Sequence, residues 1–208
     1  MDAEYQKLIS TPRRASLLRT MTPRLRAFIE EHQLPEPRPV ICRPLPFCEP
    51  KRCFANVDQQ VKRAGGSAIA GWLFWEIESI ALETEAHCIW VSEHGAWIDI
   101  TPQASTPQRL IFSADSRVAE KRGYTTGYET PLTKNPKVLA LQKFTRAIAR
   151  IREEHTHGFG QTSFVSMQLL WQAARDSDLP EDVAGLLLQK YLSWETAMEQ
   201  KYRPDKVA

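Results

Sequence analysis

Six prolines fall within the sixteen residues from 35 to 50, and this stretch constrains the fold more than any other feature of the sequence. Proline lacks a backbone N–H and fixes φ, so it interrupts helices and is normally excluded from the interior of sheets. We therefore predict that residues 35–50 form an extended, proline-rich strap. It should contain no helix, lie outside any central strand and pack beside the helix that follows.

The segment before the strap, residues 1–34, is predicted to be helical. Leu25, Phe28 and Ile29 recur at helical spacing, which is typical of a helix that buries one face. Thr22-Pro23 precedes them and resembles a helix N-terminus, with threonine as the cap and proline as the first helical residue.

A short helix is predicted directly after the strap. Phe54, Val57 and Val61 lie on one helical face, and Gly65-Gly66 supplies a stop signal. Cys53 would then occupy the first turn of this helix, where unpaired backbone amides and the positive end of the helix dipole favour a thiolate.

The hydrophobic pattern changes to that of strands between residues 67 and 112. Tryptophan, isoleucine and valine are frequent there, and turn residues separate the apolar runs. The pattern predicts a four-stranded antiparallel meander with strands at Gly71–Ile77, Ile80–Val91, Ala96–Thr101 and Arg109–Phe112. We interpret residues 51–134 as an α+β core, with an irregular loop at residues 113–134, and residues 135–208 as a helical C-terminal region.

The composition is that of a globular chain, with 42% hydrophobic residues, 25% charged residues and a net charge of +2. No apolar run approaches the roughly 18 residues of a membrane span, and the first residues do not resemble a secretory signal. We therefore expect a cytoplasmic protein, with leaderless export left open. Cysteine spacing gives no strong zinc motif, so we expect free thiols and neither metal nor cofactor.

One stretch of sequence could contact phosphate, because five arginines lie close together: Arg13, Arg14, Arg19, Arg24 and Arg26. Few aromatic residues are interleaved with them for stacking on bases. A solvated basic face is the simpler interpretation, so the pattern does not favour a nucleic-acid partner.

Three residues carry the chemistry that the sequence suggests: Cys53, His87 and Asp99. A turn centred near residue 93 would join their two strands and place His87 directly opposite Asp99 on one face of the sheet. A carboxylate fixes the tautomer of a neighbouring imidazole and supports its charged form, and the imidazole can deprotonate a thiol. Each residue alone also has an ordinary structural interpretation, so the catalytic interpretation depends on their combination.

This order of residues resembles the core of the transglutaminase-like, papain-related thiol enzymes. A helix bearing Cys53 is followed by Ala86-His87-Cys-Ile-Trp90-Val and then by Ala96-Trp97-Ile98-Asp99-Ile100-Thr101-Pro102. The resemblance covers residues 50–115. It implies a papain-like fold in which Cys53 is the nucleophile, His87 the general base and Asp99 its orienting partner.

A second likeness is to uncharacterised bacterial proteins with Cys-Phe-x-Asn-Val, Gly-Trp-x-x-Trp-Glu, Glu-x-His-x-x-Trp and Asp-x-Thr-Pro in series. Here these motifs begin at Cys53, Gly71, Glu85 and Asp99. Some such proteins also carry a cysteine-rich zinc motif called SEC-C, which these 208 residues do not contain. This likeness supports the domain and implies no activity.

Three further residues are candidates for binding. Papain has a glutamine before its cysteine that binds the oxyanion, and residues 44–52 contain none. The oxyanion donors would therefore be the Cys53 amide with Asn56 or Trp72. Glu85 could contact a cationic substrate group or a metal, or pair with an arginine as an ordinary surface acid.

Two principal functions follow. The first is a thiol-dependent acyl-transfer enzyme of the peptidase, deamidase or transglutaminase type, with a protein or peptide substrate. The second is a non-catalytic protein-binding module that retains the papain-like fold.

Overall fold

The computed structural model describes residues 2–10, 15–103, 105, 107–121, 125–155 and 167–202. In chain order its elements are α1 (Ala3–Ser10), β1 (Ala15–Leu17), α2 (Pro23–Glu31), β2 (Arg38–Cys42), α3 (Cys53–Ala64), β3 (Ser67–Ile77), β4 (Ala81–Val91), β5 (Trp97–Asp99), β6 (Arg109–Ala114), α4 (Ser116–Lys121), β7 (Glu129–Pro131), α5 (Pro136–His155), α6 (Met167–Asp176) and α7 (Glu181–Tyr202). The predicted α+β class is confirmed.

The chain forms two compact units. One, called here the helical unit, consists of Met1–Pro12 with Thr133–Ala208, and the other, the barrel unit, consists of Arg13–Leu132. Helices α1, α5, α6 and α7 belong to the helical unit. They share an apolar core of their own, whose most buried members include Leu170, Val183, Ala174, Ala184 and Leu188.

The sheet of the barrel unit closes on itself. Its strand order is β1-β3-β6-β2-β5-β4-β7, and β3 also pairs with β4, so five strands form a ring. Strands β3 and β4 form the longest hairpin, antiparallel from Ser67↔Val91 to Ile77↔Ala81. The short strand β1 pairs with the last residues of β3, and the short strand β7 pairs with the first residues of β4. Closure removes the exposed edges that an open meander would leave.

The predicted meander is wrong in its connections. Strands β5 and β6 are not neighbours, because β2 lies between them, parallel to β5 and antiparallel to β6. Only the β3–β4 and β4–β5 pairs follow the predicted antiparallel order. The sheet is therefore mixed rather than antiparallel.

The prediction that residues 35–50 stay outside a central strand is also wrong, because residues 38–42 form β2. Proline is tolerated there for a local reason. Pro39 pairs with Ile111 of β6, whereas β5 pairs with β2 only at Ile41 and Cys42. On the side of β2 that faces β5, no strand residue is paired with Pro39. The missing N–H of Pro39 therefore removes no hydrogen bond between these strands. Val40, only 1% exposed, places the strand in the core.

Two apolar clusters occupy the two faces of this sheet. One cluster contains residues on the inner face of the ring, Val40, Leu73, Ile89, Leu110 and Phe112, together with Leu17 of β1. On the outer face, α2, α3 and α4 pack against strand residues of the opposite parity, as the shared cluster of Leu25, Val57, Val118, Trp72 and Cys88 shows. This alternation is the period-2 pattern expected of strands that are covered on both faces.

The N-terminal part of the chain is only partly as predicted. Thr22 caps α2, since its Oγ1 accepts a hydrogen bond from the Leu25 amide at 3.1 Å, and Pro23 is the first helical residue. The prediction of an entirely helical segment fails because β1 pairs with the end of β3. Within the basic stretch, Arg24 forms an ion pair with Glu76 at 3.0 Å, while Arg13 and Arg14 lie outside the described residues.

Residues 113–134 are more regular than the loop that the sequence predicts. Helix α4 and strand β7 lie there, and Val118 is fully buried on the outer face of the sheet. Polar anchors hold this region in place. Asp115 accepts hydrogen bonds from the Arg117 guanidinium, and the Tyr128 amide donates to Thr84 Oγ1 at 2.7 Å.

Candidate active site

Cys53 is the first residue of α3, as the sequence predicts. Lys51, two residues earlier, has φ 63°, a left-handed conformation that lysine rarely adopts. This turn lets the chain leave the loop and enter the helix abruptly. At the other end, Gly65 has φ 63° and donates its amide to the Val61 carbonyl, which ends the helix.

The backbone at the start of α3 is rich in unpaired donors. The amide of Asn56 makes the first helical hydrogen bond, to the Arg52 carbonyl at 2.9 Å. The amides of residues 53–55 therefore have no acceptor within the helix. Among the described residues, no side chain caps this end. Cys53 thus lies at the positive end of the helix dipole, which stabilises negative charge on its sulfur.

His87 lies in the middle of β4 and is 3% exposed. It has the same parity as Ile89, which faces the interior of the ring. Gly71 is its cross-strand partner on β3. A side chain at position 71 would collide with the Phe112 ring and the Ser113 carbonyl, so glycine is required for close packing at this point of the barrel.

Asp99 is fully buried at the end of β5 and accepts three hydrogen bonds. Its Oδ1 receives His87 Nε2–H and the Thr101 amide, each at 3.0 Å. Its Oδ2 receives the Gln103 side-chain amide at 2.9 Å. A buried carboxylate with this number of donors is well satisfied, and its orientation toward the imidazole is fixed.

The pairing of His87 with Asp99 differs in detail from the prediction. The strand register is Trp90↔Ile98 and Val91↔Trp97, so the turn is centred at residue 94 rather than 93. A shift of one residue in the turn centre moves the register by two and keeps both side chains on the same face. The two residues are therefore diagonal neighbours, still within reach of a hydrogen bond.

The imidazole of His87 connects the thiol and the carboxylate. Burial by itself lowers the pKa of His87, but the charge of Asp99 and hydrogen bonding to both Asp99 and Cys53 leave that pKa well above its ordinary value. Asp99 accepts from Nε2, which leaves Nδ1 as the other nitrogen of the ring. His87 is thus coupled electrostatically to both of the other residues that the sequence singled out.

Asn56 is placed one turn along α3 from Cys53, but its amide is already occupied. Its Nδ2 donates to the Glu49 carbonyl at 2.8 Å and to Thr101 Oγ1 at 3.1 Å. Its Oδ1 accepts the Glu49 amide at 3.1 Å. Asn56 therefore anchors the preceding loop and the end of β5 to α3, and it has no free N–H for an oxyanion.

The indole N–H of Trp72 is also already hydrogen-bonded. Its single N–H donates to Asp115 Oδ2 at 2.8 Å, and the indole is 1% exposed. Because an indole has one donor and no acceptor, Trp72 cannot also bind an oxyanion.

Glu85 does not share the environment of His87, although it lies two residues away on the same strand. Its side chain is exposed and accepts the Trp75 indole N–H at 2.7 Å. The hydrogen bond to Trp75 takes the place of the arginine ion pair that the sequence suggested. Nothing in this contact connects Glu85 with Cys53.

Two of the remaining cysteines, Cys42 and Cys48, have environments that favour the protonated thiol. Burial, with a contribution from Asp99, raises the pKa of Cys42 to about 12. Burial also raises the pKa of Cys48. Cys88 is 3% exposed and packs in the outer cluster. These thiols provide internal references for the reactivity of Cys53.

Two polar residues of the site are not assigned a role by the sequence analysis, namely Thr101 and Gln103. Thr101 belongs to the Asp-x-Thr-Pro motif, so its presence near Asp99 could have been anticipated. Gln103 lies outside every motif considered. The sequence indicates Gln103 only by its position, four residues after Asp99. The segment that contains it is predicted to be a loop.

Comparisons with known proteins find no matching family model, curated protein or solved structure. Within the described part of the chain, no group of three or more His, Cys, Asp or Glu side chains is arranged to hold a metal ion. None of the helices described has the length and apolarity needed to cross a membrane.

Proposed function

We propose that this protein is a thiol-dependent acyl-transfer enzyme. Cys53 is the nucleophile, and His87 is the general base and acid. Asp99 orients the imidazole and stabilises its charged form. The substrate is an amide or thioester carbonyl of a protein or peptide. The core would then be papain-like or transglutaminase-like in its arrangement of helix, histidine strand and aspartate strand.

The observation that carries the proposal is the position of His87. It is buried, it donates Nε2–H to Asp99 at 3.0 Å, and its charged form is supported electrostatically by Asp99 and by Cys53, the first residue of α3. Nucleophile, base and orienting group in one chain of contacts is the arrangement that activates a weak nucleophile. A cysteine packed only as a small hydrophobic residue would need none of these partners.

The reaction proceeds in two stages. The Cys53 thiolate attacks the carbonyl carbon and forms a C–S bond, while the carbonyl π electrons move to the oxygen. Unpaired amides at the start of α3, with that of Cys53 first, are the donors available to this oxyanion. The imidazolium then gives its proton to the leaving amine or thiolate as the bond to it breaks, which leaves an acyl-enzyme.

Water or an amine completes the cycle. Neutral His87 takes a proton from the acceptor, which attacks the acyl carbon and expels the Cys53 thiolate, while the imidazolium is restored. Water gives a peptidase or deamidase and an amine gives a transglutaminase. The triad chemistry is the same in each case, so the acceptor is decided by which molecule reaches the acyl group.

The direct test is alkylation with iodoacetamide followed by peptide mass spectrometry. At pH 6 we expect Cys53 to react at least about tenfold faster than Cys42 and Cys48, because only Cys53 has an imidazolium partner and a helix N-terminus. His87→Ala should abolish this difference. Equal rates for all three thiols in a folded wild-type protein would contradict the proposal.

A non-catalytic binding module is the second candidate, and one observation favours it. Neither Asn56 nor Trp72 has a free donor for an oxyanion, and Cys53 is only 9% exposed. A retained triad could then serve as a buried polar anchor. If this function is correct, Cys53 should be alkylated slowly at pH 6 and Cys53→Ala should leave the melting temperature unchanged or raise it.

A further inference from the structure

Gln103 is the third donor to Asp99. Oδ1 of the carboxylate is held by His87 and by the Thr101 amide, and Oδ2 is held by Gln103 Nε2 at 2.9 Å. We propose that Gln103 is a positioning residue of the thiol site, which keeps the Asp99 carboxylate in the plane that His87 requires. This inference rests on the proposed function and adds a residue to it.

The geometry explains why a donor on Oδ2 matters. The terminal torsion of an aspartate is soft and has broad minima, so bonds to Oδ1 alone leave the second oxygen free to swing. Asp99 is fully buried, and an unpaired carboxylate oxygen in that position would be costly. The Gln103 amide removes both problems with one hydrogen bond.

The two oxygens of Asp99 are supported from different parts of the chain. On the Oδ1 side, Thr101 also accepts a hydrogen bond from Asn56, so this side is connected to the helix that carries Cys53. On the Oδ2 side, the support comes from the loop after β5. Gln103 therefore fixes the side of the carboxylate that faces away from the triad.

An amide is the appropriate group at this position. It donates a hydrogen bond at every pH and adds no charge beside the imidazolium. A carboxyl group of the same size donates only when it is protonated, and when ionised it repels Asp99. The other titratable groups that interact with Asp99 are His87, Cys42 and Cys48, and burial raises the pKa of both thiols, that of Cys42 to about 12.

The test uses the full chain with Gln103→Ala and Gln103→Glu, and the readout is the rate of Cys53 alkylation by iodoacetamide from pH 5 to 9. Gln103→Ala should slow the reaction at pH 6 by about tenfold, because the carboxylate that supports the imidazolium loses its fixed orientation. Gln103→Glu should follow the wild type at low pH and separate from it as the new carboxyl group ionises.

Gln108→Glu is the matched control, because it makes the same change at an exposed side chain five residues further on. It should leave the profile unchanged. If alanine unfolds the protein, Gln103→Glu, which is nearly the same size, still decides the question. The inference is overturned if both Gln103 profiles coincide with the wild type, or if Gln108→Glu moves the profile as far as Gln103→Glu does.

Failure of this inference differs from failure of the proposed function. If wild-type Cys53 reacts rapidly at pH 6 and the Gln103 variants match it, the thiol site stands without a role for Gln103. If wild-type Cys53 reacts no faster than Cys48, both the thiol site and the role of Gln103 are rejected.

Discussion

At the scale of single residues, Asp99 separates the catalytic and structural interpretations most cleanly. Asp99→Asn keeps the size of the side chain but removes the charge that supports the imidazolium. We expect alkylation of Cys53 at pH 6 to fall by at least about tenfold, because less thiolate forms. The loss of charge-assisted hydrogen bonds should also lower the free energy of unfolding by about 2 kcal/mol.

Asp115→Asn is the control for this substitution. Asp115 is another buried carboxylate of the barrel unit, and it is bonded to Trp72 and Arg117 rather than to His87. Its replacement should lower the melting temperature and leave Cys53 alkylation unchanged. If Asp99→Asn behaves in the same way, Asp99 is structural and Cys53 and His87 are left without an orienting acid.

The raised pKa of His87 predicts how the free energy of unfolding depends on pH. Its pKa is raised in the folded protein, above an unfolded value of about 6.5. The native state therefore holds the proton more tightly, so the stabilisation is complete below about pH 6.5 and is lost as the pH rises through the folded pKa. Comparing the free energy of unfolding of the wild type with that of His87→Gln should show a gap that is constant at low pH and shrinks above about pH 6.5. A gap that does not change with pH would mean that the pKa of His87 is the same in the folded and unfolded states, and a gap that shrinks as the pH falls below about 6.5 would mean that His87 is neutral in the folded state.

At the scale of elements, the location of β2 in the barrel gives a paired test. Val40 is 1% exposed and its neighbour Ile41 is 46% exposed, as alternation along a strand requires. Val40→Ala should destabilise the protein by about 2 kcal/mol through lost burial and a cavity. Ile41→Ala should change stability by less than about 0.5 kcal/mol. Chemical denaturation measures both, and equal losses would be inconsistent with β2 as an interior strand.

The elements that the sequence predicts correctly are those whose signals are local. Helix α3 follows from the spacing of Phe54, Val57 and Val61 and from the glycine stop at Gly65, all within thirteen residues. The β3–β4 hairpin is likewise adjacent in sequence. Strand β2 is different, since its partners β5 and β6 lie more than fifty residues further along the chain. The proline in this strand, Pro39, predicts an interrupted strand when its partners are not known.

The site shows the same division between local and tertiary information. The position of Cys53 at the start of α3 and the pairing of His87 with Asp99 could be predicted, because helix signals and hairpin symmetry are local. The roles of Asn56 and Trp72 could not, because each depends on an acceptor supplied by another element, Thr101 in one case and Asp115 in the other. A donor recognised in sequence is available for function only if the fold leaves it unpaired.

At the scale of the whole molecule, the chain order of the two units leads to the last prediction. The barrel unit is one continuous segment, Arg13–Leu132, and it contains two apolar clusters of its own and every residue of the candidate site. A segment with its own core is able to fold alone. We therefore expect residues 13–132, expressed as a fragment, to unfold cooperatively and to retain the alkylation profile of Cys53.

The full chain carrying Cys53→Ser provides the reference for labelling at the other thiols, which all lie in the barrel unit. A fragment that folds, as judged by cooperative thermal unfolding, but loses the rapid reaction of Cys53 would show that residues outside 13–132 are needed to activate the thiol. A fragment that does not unfold cooperatively would show that its two apolar clusters are insufficient for stability. Retention of both properties would assign the thiol chemistry to the closed sheet and α3, and would leave the helical unit free to differ in role.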